Sequence, residues 1–267
     1  LGYCASTMYY AELEKNCDEE IYKVIDKHEK EGILIDNFWL ASGYSSGEKD
    51  NLRYVFNWNY KRFPEPEKFF ENMNARGINV IPNLKPGILK HHPYIDLFEK
   101  NDVFIKTPAP YYGRWWGGEG RFFDFTGPNG RNTWKQLLEE NILKKGTKTV
   151  WNDNCEMDGV EDRDAQCDFE GKKGTMAELK ILHSNLMAYT AKQALADVYP
   201  GERPYIINRA GYAGIQRYAQ VWGGDNLTDW RTVKFNIATI LGMGLSGCSN
   251  MGCDIGGRTA SSSRASA

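Results

Sequence analysis

Apolar and polar positions along the chain form short apolar runs that alternate with longer amphipathic segments. Residues 33–40 form an apolar run, which is typical of a strand in a parallel sheet covered on both faces. Residues 176–199 instead carry apolar side chains at helical spacing, among them Leu179, Leu182 and Leu186. Alternation of such strands and helices predicts an α/β protein built on a parallel sheet.

The pattern predicts seven strands separated by helices. Strands are expected over residues 2–10, 33–40, 78–83, 147–151 and 205–209, over a segment that ends at Trp222, and over 248–254. Helices are expected over 66–77, 133–143, 176–199, 230–241 and from Asp18, as N-cap, to Gly32. The 267 residues, of which 41% are hydrophobic, suit one (β/α)8 TIM-type barrel, which needs about 250 residues. No eighth strand is recognisable, so the barrel is expected to lack its last βα unit.

The two ends of the chain differ in character. Residues 1–257 are expected to form the partial barrel, since the first strand already begins at Leu1-Gly2-Tyr3. Residues 258–267 are rich in Ser, Ala and Arg without apolar periodicity, which predicts a disordered or non-native tail. We hypothesise that the chain is a fragment whose last barrel unit is replaced by a foreign or frame-shifted end.

Charge and cysteine content narrow the classes of partner and cofactor. The net charge is −2 with both signs interspersed, so a nucleic-acid partner is not expected. No apolar run is long enough to cross a membrane. Six cysteines without zinc-type pairs, and four histidines, predict no metal site. The same cysteines favour a reducing, cytoplasmic compartment, and no pattern indicates an oligomeric state.

Residues 150–156 form the stretch with the clearest chemical character. A strand of apolar residues ends there on two carboxylates, Asp153 and Glu156. In β/α proteins the polar residues that follow a strand are where chemistry is performed. An alternative is that Asp153 only caps the next element.

Three motifs, in order, resemble glycoside hydrolase family 31, the α-glucosidase family of retaining enzymes on a β/α barrel. The first is Trp151-Asn152-Asp153. The second is the segment 207–214, followed by Trp222-Gly223-Gly224-Asp225. The third is 242–247, followed by 251–257, which contains Asp254. The resemblance covers residues 2 to about 257, and it implies an incomplete catalytic barrel that acts on an oligosaccharide or other glycoside.

The resemblance also implies roles for individual residues. It makes Asp153 the nucleophile and Asp225 the acid/base, and an apolar site beside Trp222 is expected to keep Asp225 protonated. Four further residues are implied to bind the sugar or line its pocket: Arg209, Asp254, Trp151 and Trp222. The alternatives are structural: Asp225 as a turn residue, Arg209 in a salt bridge and Asp254 as a cap. No metal or organic cofactor is implied, because two carboxylates suffice.

The sequence departs from the family in the second strand and at its end. Family α-glucosidases carry Asp residues just after this strand, where the chain has Ala41 and Gly43. Lys85 is expected either to contact the substrate in their place or to be a solvated loop lysine. The family's strand-eight histidine has no counterpart. The aromatic segment 111–118 is expected to form a sugar platform or a hydrophobic plug.

These departures leave the substrate open. The function indicated is hydrolysis of a terminal α-linked sugar by a covalent two-carboxylate mechanism, α-glucosidase-like, with an α-N-acetylgalactosaminide as a contender. The alternatives are an α-glucosyltransferase of the same family, which uses the same intermediate, and a catalytically dead carbohydrate-binding barrel.

Overall fold

Seven parallel strands form the central sheet of the protein. The structure is a computed structural model, and it describes residues 4–107, 113–254 and 259–260. The strands are β1 (Cys4–Thr7), β2 (Asn37–Leu40), β3 (Asn79–Leu84), β4 (Thr149–Asn152), β5 (Tyr205–Asn208), β6 (Gln220–Gly223) and β7 (Met251–Cys253). Each strand pairs in parallel with the next one along the chain, from β1 to β7.

Helices connect these strands in the manner of a β/α barrel. They are α1 (Cys17–Lys30), α2 (Pro66–Ala75), α3 (Ile95–Lys100), α4 (Pro128–Asn141), α5 (Met176–Val198) and α6 (Trp230–Leu245). Short 3-10 turns lie at Tyr9–Ala11, Ser42–Ser45, Leu143–Lys145 and Ile215–Arg217. Within the described ranges the sheet has no eighth parallel strand. The predicted fold, an incomplete (β/α)8 barrel, is therefore confirmed.

Short strands in the loops that follow the barrel strands form three small sheets among the described residues. Gly87–Leu89, Gly113–Trp115 and Gly118–Phe122 form an antiparallel sheet after β3. Gln166–Cys167 pairs with Gly174–Thr175 in the loop between β4 and α5, and Leu227–Thr228 pairs with Thr259–Ala260. The predicted tail over 258–267 otherwise lies outside the described residues, as do Tyr111 and Tyr112 of the aromatic segment.

Several predicted boundaries were wrong. The first strand ends at Thr7 and not at residue 10, and α4 begins at Pro128 and not at residue 133. The second strand begins at Asn37, not at residue 33, and Ile33 and Leu34 are exposed. These residues follow the turn at Gly32, which has the left-handed conformation (φ 71°) common after the end of a helix. They connect that turn to the start of the strand. Asp18 is not the N-cap: α1 begins at Cys17, and Asp18 lies within its first turn, where a carboxylate suits the helix dipole.

The barrel interior is filled by a separate small core of five side chains, one from each strand from β2 to β6. They are Trp39, Ile81, Trp151, Ile207 and Trp222. The three indole rings pack with centroids 5.0, 5.4 and 5.6 Å apart. Because side chains alternate along a strand, the neighbouring residues instead face the larger core under the helices. The interior is thus a packed floor beneath the carboxyl ends of the strands.

Helix α6 differs from the other long helices because it contains no buried residue. Its exposed apolar side chains include Trp230, Val233, Phe235, Ile237, Leu241 and Leu245. It connects β6 to β7, the last parallel strand of the described sheet. No described helix combines the length and the apolar content that crossing a membrane demands.

Candidate active site

Asp153 lies directly after β4, at the carboxyl ends of the parallel strands. Its backbone N–H donates to the Leu84 carbonyl at 2.8 Å, which continues the pairing of β4 with β3. Its side chain is 2% exposed. Asn83 donates to Oδ2 at 3.0 Å, and Lys85 contacts the same oxygen. The carboxylate is therefore fixed by two residues at the end of the neighbouring strand.

The charge state of Asp153 is set by two opposing effects. Burial raises the pKa of this carboxyl, but the Lys85 ammonium, the Asn83 amide and the Arg209 guanidinium together lower it to about 2. Asp153 is consequently ionised near neutral pH, which is the state that a nucleophile requires. Lys85 contributes most to this outcome.

Lys85 lies within the site, and its contact with a substrate stays a prediction. Its side chain is buried, so the interpretation as a solvated loop lysine is wrong. The ammonium contacts Asp153, donates to Asn154 Oδ1 at 2.8 Å and lies 5.0 Å from the centroid of the Trp116 ring. Lys85 is thus the principal counter-charge of Asp153 and also touches the aromatic hairpin.

Arg209 follows β5 and joins three carboxylates. Nη1 lies 3.4 Å from Asp153 Oδ1 and 2.9 Å from Asp225 Oδ2, and Nη2 lies 3.3 Å from Glu156 Oε1. Its backbone N–H donates to the Asn152 carbonyl at 3.0 Å, which fixes its position beside β4. Burial lowers the pKa of the guanidinium, but the three carboxylates outweigh it and raise that pKa. The structure thus shows the salt bridges of the structural alternative, and sugar binding by Arg209 stays a prediction.

Asp225 lies in a different environment from the one expected. It sits in the left-handed region, with φ of 59°, on the turn after β6, and its side chain is 39% exposed. It forms an ion pair with Arg209 instead of facing apolar side chains. The Trp222 indole is turned under the backbone of Gly224, where an added Cβ would meet the ring nitrogen at 2.4 Å. The turn, and not the indole, decides where Asp225 points.

Glu156 is a third carboxylate at this edge. Burial raises its pKa against the opposing effects of its own backbone N–H and of Arg209. Its contact with Arg209 is an ion pair without hydrogen-bond geometry, and neither carboxylate oxygen has a hydrogen-bond partner among the described residues. Glu156 therefore holds a proton more readily than a solvated glutamate does.

The remaining predicted residues lie on the same edge of the barrel or beneath it. Asp254 follows β7 directly and is half-buried. Trp151 and Trp222 belong to the packed floor, and both are almost completely buried. The indole N–H of Trp151 has no hydrogen-bond partner among the described residues. These two tryptophans thus present only a small edge toward a ligand above them.

The loop after β2 cannot supply the carboxylates that the family places there. Ala41 is buried, and a Cβ added at Gly43 would lie 2.2 Å from the Ala11 carbonyl oxygen. Beside this loop is a small cleft. Its polar lining comes from Ser42, Ser45, Arg53, Asn83 and Lys85. Hydroxyl, amide and cationic groups thus replace acidic ones on this side of Asp153.

The aromatic segment forms a hairpin at the mouth of this cleft. Its strands, Gly113–Trp115 and Gly118–Phe122, leave Trp116 exposed in the turn. The Arg53 guanidinium lies 5.5 Å from the centroid of this ring, on the same indole that Lys85 approaches. Arg53 and Asn83 were not among the residues predicted from the sequence. Asn83 is the penultimate residue of β3, so only a rule extended to polar residues within the last two positions of a strand identifies it.

Comparison with known proteins identifies the family. The glycosyl hydrolases family 31 TIM-barrel domain matches residues 1–265. The chain belongs to glycoside hydrolase family 31. Curated relatives include α-glucosidase 2 of Bacillus thermoamyloliquefaciens, 28% identical over 96% of this chain and 32% of the relative. Another is an α-glucosidase of Saccharolobus solfataricus, 28% identical over 96% of this chain and 39% of the relative.

Solved structures agree with this family assignment. A glucosidase II α subunit bound to Glc1Man2 superposes with a TM-score of 0.83 at 26% identity, over 96% of this chain and 28% of that chain. A Flavobacterium johnsoniae family 31 dextranase in complex with glucose shares the fold, with a TM-score of 0.84 at 21% identity, over 97% of this chain and 32% of that one. The chain spans about a third of the length of the relatives that it matches.

Proposed function

We propose that the protein is a retaining α-glycoside hydrolase in which Asp153 is the nucleophile and Asp225 the acid/base. The observation that carries this proposal is that one guanidinium, Arg209, contacts both carboxylates at the carboxyl ends of the strands. Asp153 Oδ1 and Asp225 Oδ2 contact the same atom, Arg209 Nη1, so the distance between these two oxygens cannot exceed the sum of the two contact distances. That limit is compatible with the roughly 5–5.5 Å between the carboxyl groups of retaining enzymes.

The two carboxyl groups have separate tasks in this reaction. Asp153 attacks the anomeric carbon while Asp225 gives its proton to the departing glycosidic oxygen, which leaves a glycosyl–Asp153 ester. Asp225 then takes a proton from water, whose oxygen displaces Asp153 from the sugar. The low pKa of Asp153 supports both of its tasks. The carboxylate is ionised for the attack on the anomeric carbon, and it is a good leaving group in the second step.

Asp225 has to carry a proton when the glycosidic bond breaks. Arg209 and Asp225 form an ion pair in the structure. In this mechanism the guanidinium turns from Asp225 to the sugar hydroxyls as substrate enters, which leaves the carboxyl for the glycosidic oxygen.

The sugar is inferred from the side of the site where the carboxylates are missing. Carboxylates accept hydrogen bonds from sugar hydroxyls, whereas the lining of the cleft offers ammonium, guanidinium and amide donors. Such donors suit the carbonyl oxygen of an acetamido group. An α-linked N-acetylgalactosaminide is therefore the substrate class that we place first, ahead of a plain α-glucoside.

The test is a screen of p-nitrophenyl α-glucoside, α-galactoside and α-N-acetylgalactosaminide. We expect hydrolysis of one sugar, its loss in Asp153→Ala, and full activity in the exposed-loop control Asp164→Ala. In Asp225→Ala, hydrolysis of a substrate with a poor leaving group should fall about 10²–10⁴-fold. Formation of the glycosyl ester from p-nitrophenyl substrates should fall less, because p-nitrophenolate leaves without a proton. Unchanged hydrolysis in Asp153→Ala would overturn the proposal.

A further inference from the structure

Three metal-ligating side chains converge outside the candidate active site. They are Asp124, in the segment before α4, Cys167, in the loop between β4 and α5, and His183 on α5. One donor atom of each lies within 4.8 Å of the others, and all three residues are buried. No local sequence motif indicates this cluster, because the three residues come from separate segments of the chain.

The spacing of the soft donors fits coordination of a metal. Cys167 Sγ lies 3.6 Å from His183 Nε2 and 3.5 Å from Met176 Sδ. Tetrahedral zinc has bonds of about 2.3 Å to sulfur and 2.0–2.1 Å to nitrogen, which places those two donors roughly 3.5 Å apart. The side chains thus already have the separation that a shared tetrahedral ion requires.

The Asp124 carboxylate is held in place by neighbouring backbone and hydroxyl groups. Oδ1 accepts from the Thr126 N–H at 2.9 Å and from its hydroxyl, and Oδ2 accepts from the Asp168 N–H at 2.6 Å. These donors orient the carboxylate without occupying every lone pair. Metal-binding carboxylates are commonly oriented by outer hydrogen bonds of this kind.

Hydrogen bonds do not account for the burial of His183. Its Nδ1 has no partner among the described residues, although the residue is completely buried. An unsatisfied buried polar atom costs about 1–3 kcal/mol. Coordination through Nε2 would leave Nδ1 without a partner, but it would replace the weak contact of Nε2 with the Cys167 thiol, at 3.6 Å, by a metal–nitrogen bond.

We propose that Asp124, Cys167 and His183 bind a zinc ion, with the Met176 thioether beside the fourth coordination position. Coordination replaces the thiol proton, which passes to solvent, by a sulfur–zinc bond. The ion joins the loop between β4 and α5 to that helix and to the segment before α4. Since none of the three ligands belongs to the candidate active site, this role is structural and independent of the proposed hydrolysis.

The test measures zinc in the purified protein by mass spectrometry, followed by removal and readdition of zinc. We expect one zinc ion per chain, a rise in Tm when zinc is restored, and loss of both in Cys167→Ala. The matched control is Cys17→Ala, which removes another buried thiol outside the cluster and should leave zinc content unchanged.

A second measurement on the unaltered protein covers a failure of Cys167→Ala to fold. Addition of Co²⁺ to the zinc-free protein should give a thiolate-to-cobalt charge-transfer band, and zinc should displace it. Absence of the band, or zinc content that Cys167→Ala does not change, would show that Cys167 and His183 share only an S–H···N hydrogen bond. Neither result would bear on Asp153 or Asp225.

Discussion

Replacement of Lys85 by Met isolates the counter-charge of Asp153. Methionine has a similar length but no charge, so Asp153 would remain buried with Asn83 and Arg209 as its remaining partners. A carboxyl pKa of about 2, against an ordinary value of 3.8, corresponds to about 2–3 kcal/mol of stabilisation of the charged form. Removing one partner of a buried ion pair costs about 3–5 kcal/mol. We expect about 3 kcal/mol for Lys85→Met, because two partners remain.

The pH dependence of this loss has a defined sign. In the unaltered protein the Asp153 contribution is complete above pH 3.8 and is lost as pH falls toward 2. Without Lys85, the effect of burial, which raises the pKa of Asp153, is opposed by fewer partners. Protonation of the buried carboxyl as pH falls therefore removes the unpaired charge and reduces the loss of stability in the variant. The difference in unfolding free energy between the two proteins should therefore be larger at pH 7 than at pH 4.

Urea unfolding at pH 7 and pH 4 measures these differences. The matched control is Lys90→Met, which removes an exposed lysine and should cost no more than about 0.5 kcal/mol. The double variant Lys85→Met with Asp153→Asn should recover about 2 kcal/mol, since it leaves no unpaired charge. A loss below about 1 kcal/mol for Lys85→Met, or one that pH does not change, would refute the assigned ion pair.

Three further predictions concern the scaffold. Gly43→Ala should prevent folding, because its Cβ would meet a backbone carbonyl at 2.2 Å, whereas Gly242→Ala, with open space around it, should fold normally by circular dichroism. Burial lowers the His92 pKa to about 4, so His92 should contribute roughly 2 kcal/mol to the stability lost between pH 6.5 and 5; in urea unfolding His92→Gln should lose less stability by that amount. Trp222→Ala should cost about 3–5 kcal/mol in the same assay, and the exposed Trp230→Ala about 0.5 kcal/mol or less. Equal losses for the two tryptophans would contradict the packed floor.

The fold could be predicted because local patterns and the global arrangement agree. Strand and helix periods alternate along the whole chain, and each strand pairs with the next, so the sequence order is also the spatial order. Residues 33–36 were misassigned because their apolar pattern resembles a strand, although Ile33 and Leu34 are exposed. Hydrophobicity alone does not indicate which apolar residues enter the sheet.

The electrostatics of the site could be predicted only in part. The rule for strand ends located Asp153, because it depends on position along one strand, and the resemblance to the family located Arg209. The partner of Lys85 could not be found in this way, since it is set by contacts between separate strands and by burial. Asp225 shows the same limit: its neighbour in sequence, Trp222, suggested an apolar site, whereas the backbone turn directs the carboxyl to Arg209.

The measurement that tests the central claim most directly is trapping of the covalent intermediate. A 5-fluoro-α-glycosyl fluoride of the sugar found active in the screen should form a stable ester, detected by mass spectrometry of the peptides after digestion. We expect one sugar per chain on the peptide that contains Asp153, and no label in Asp153→Ala. A label on Glu156, or turnover without any trapped ester, would contradict the assignment of Asp153 as nucleophile.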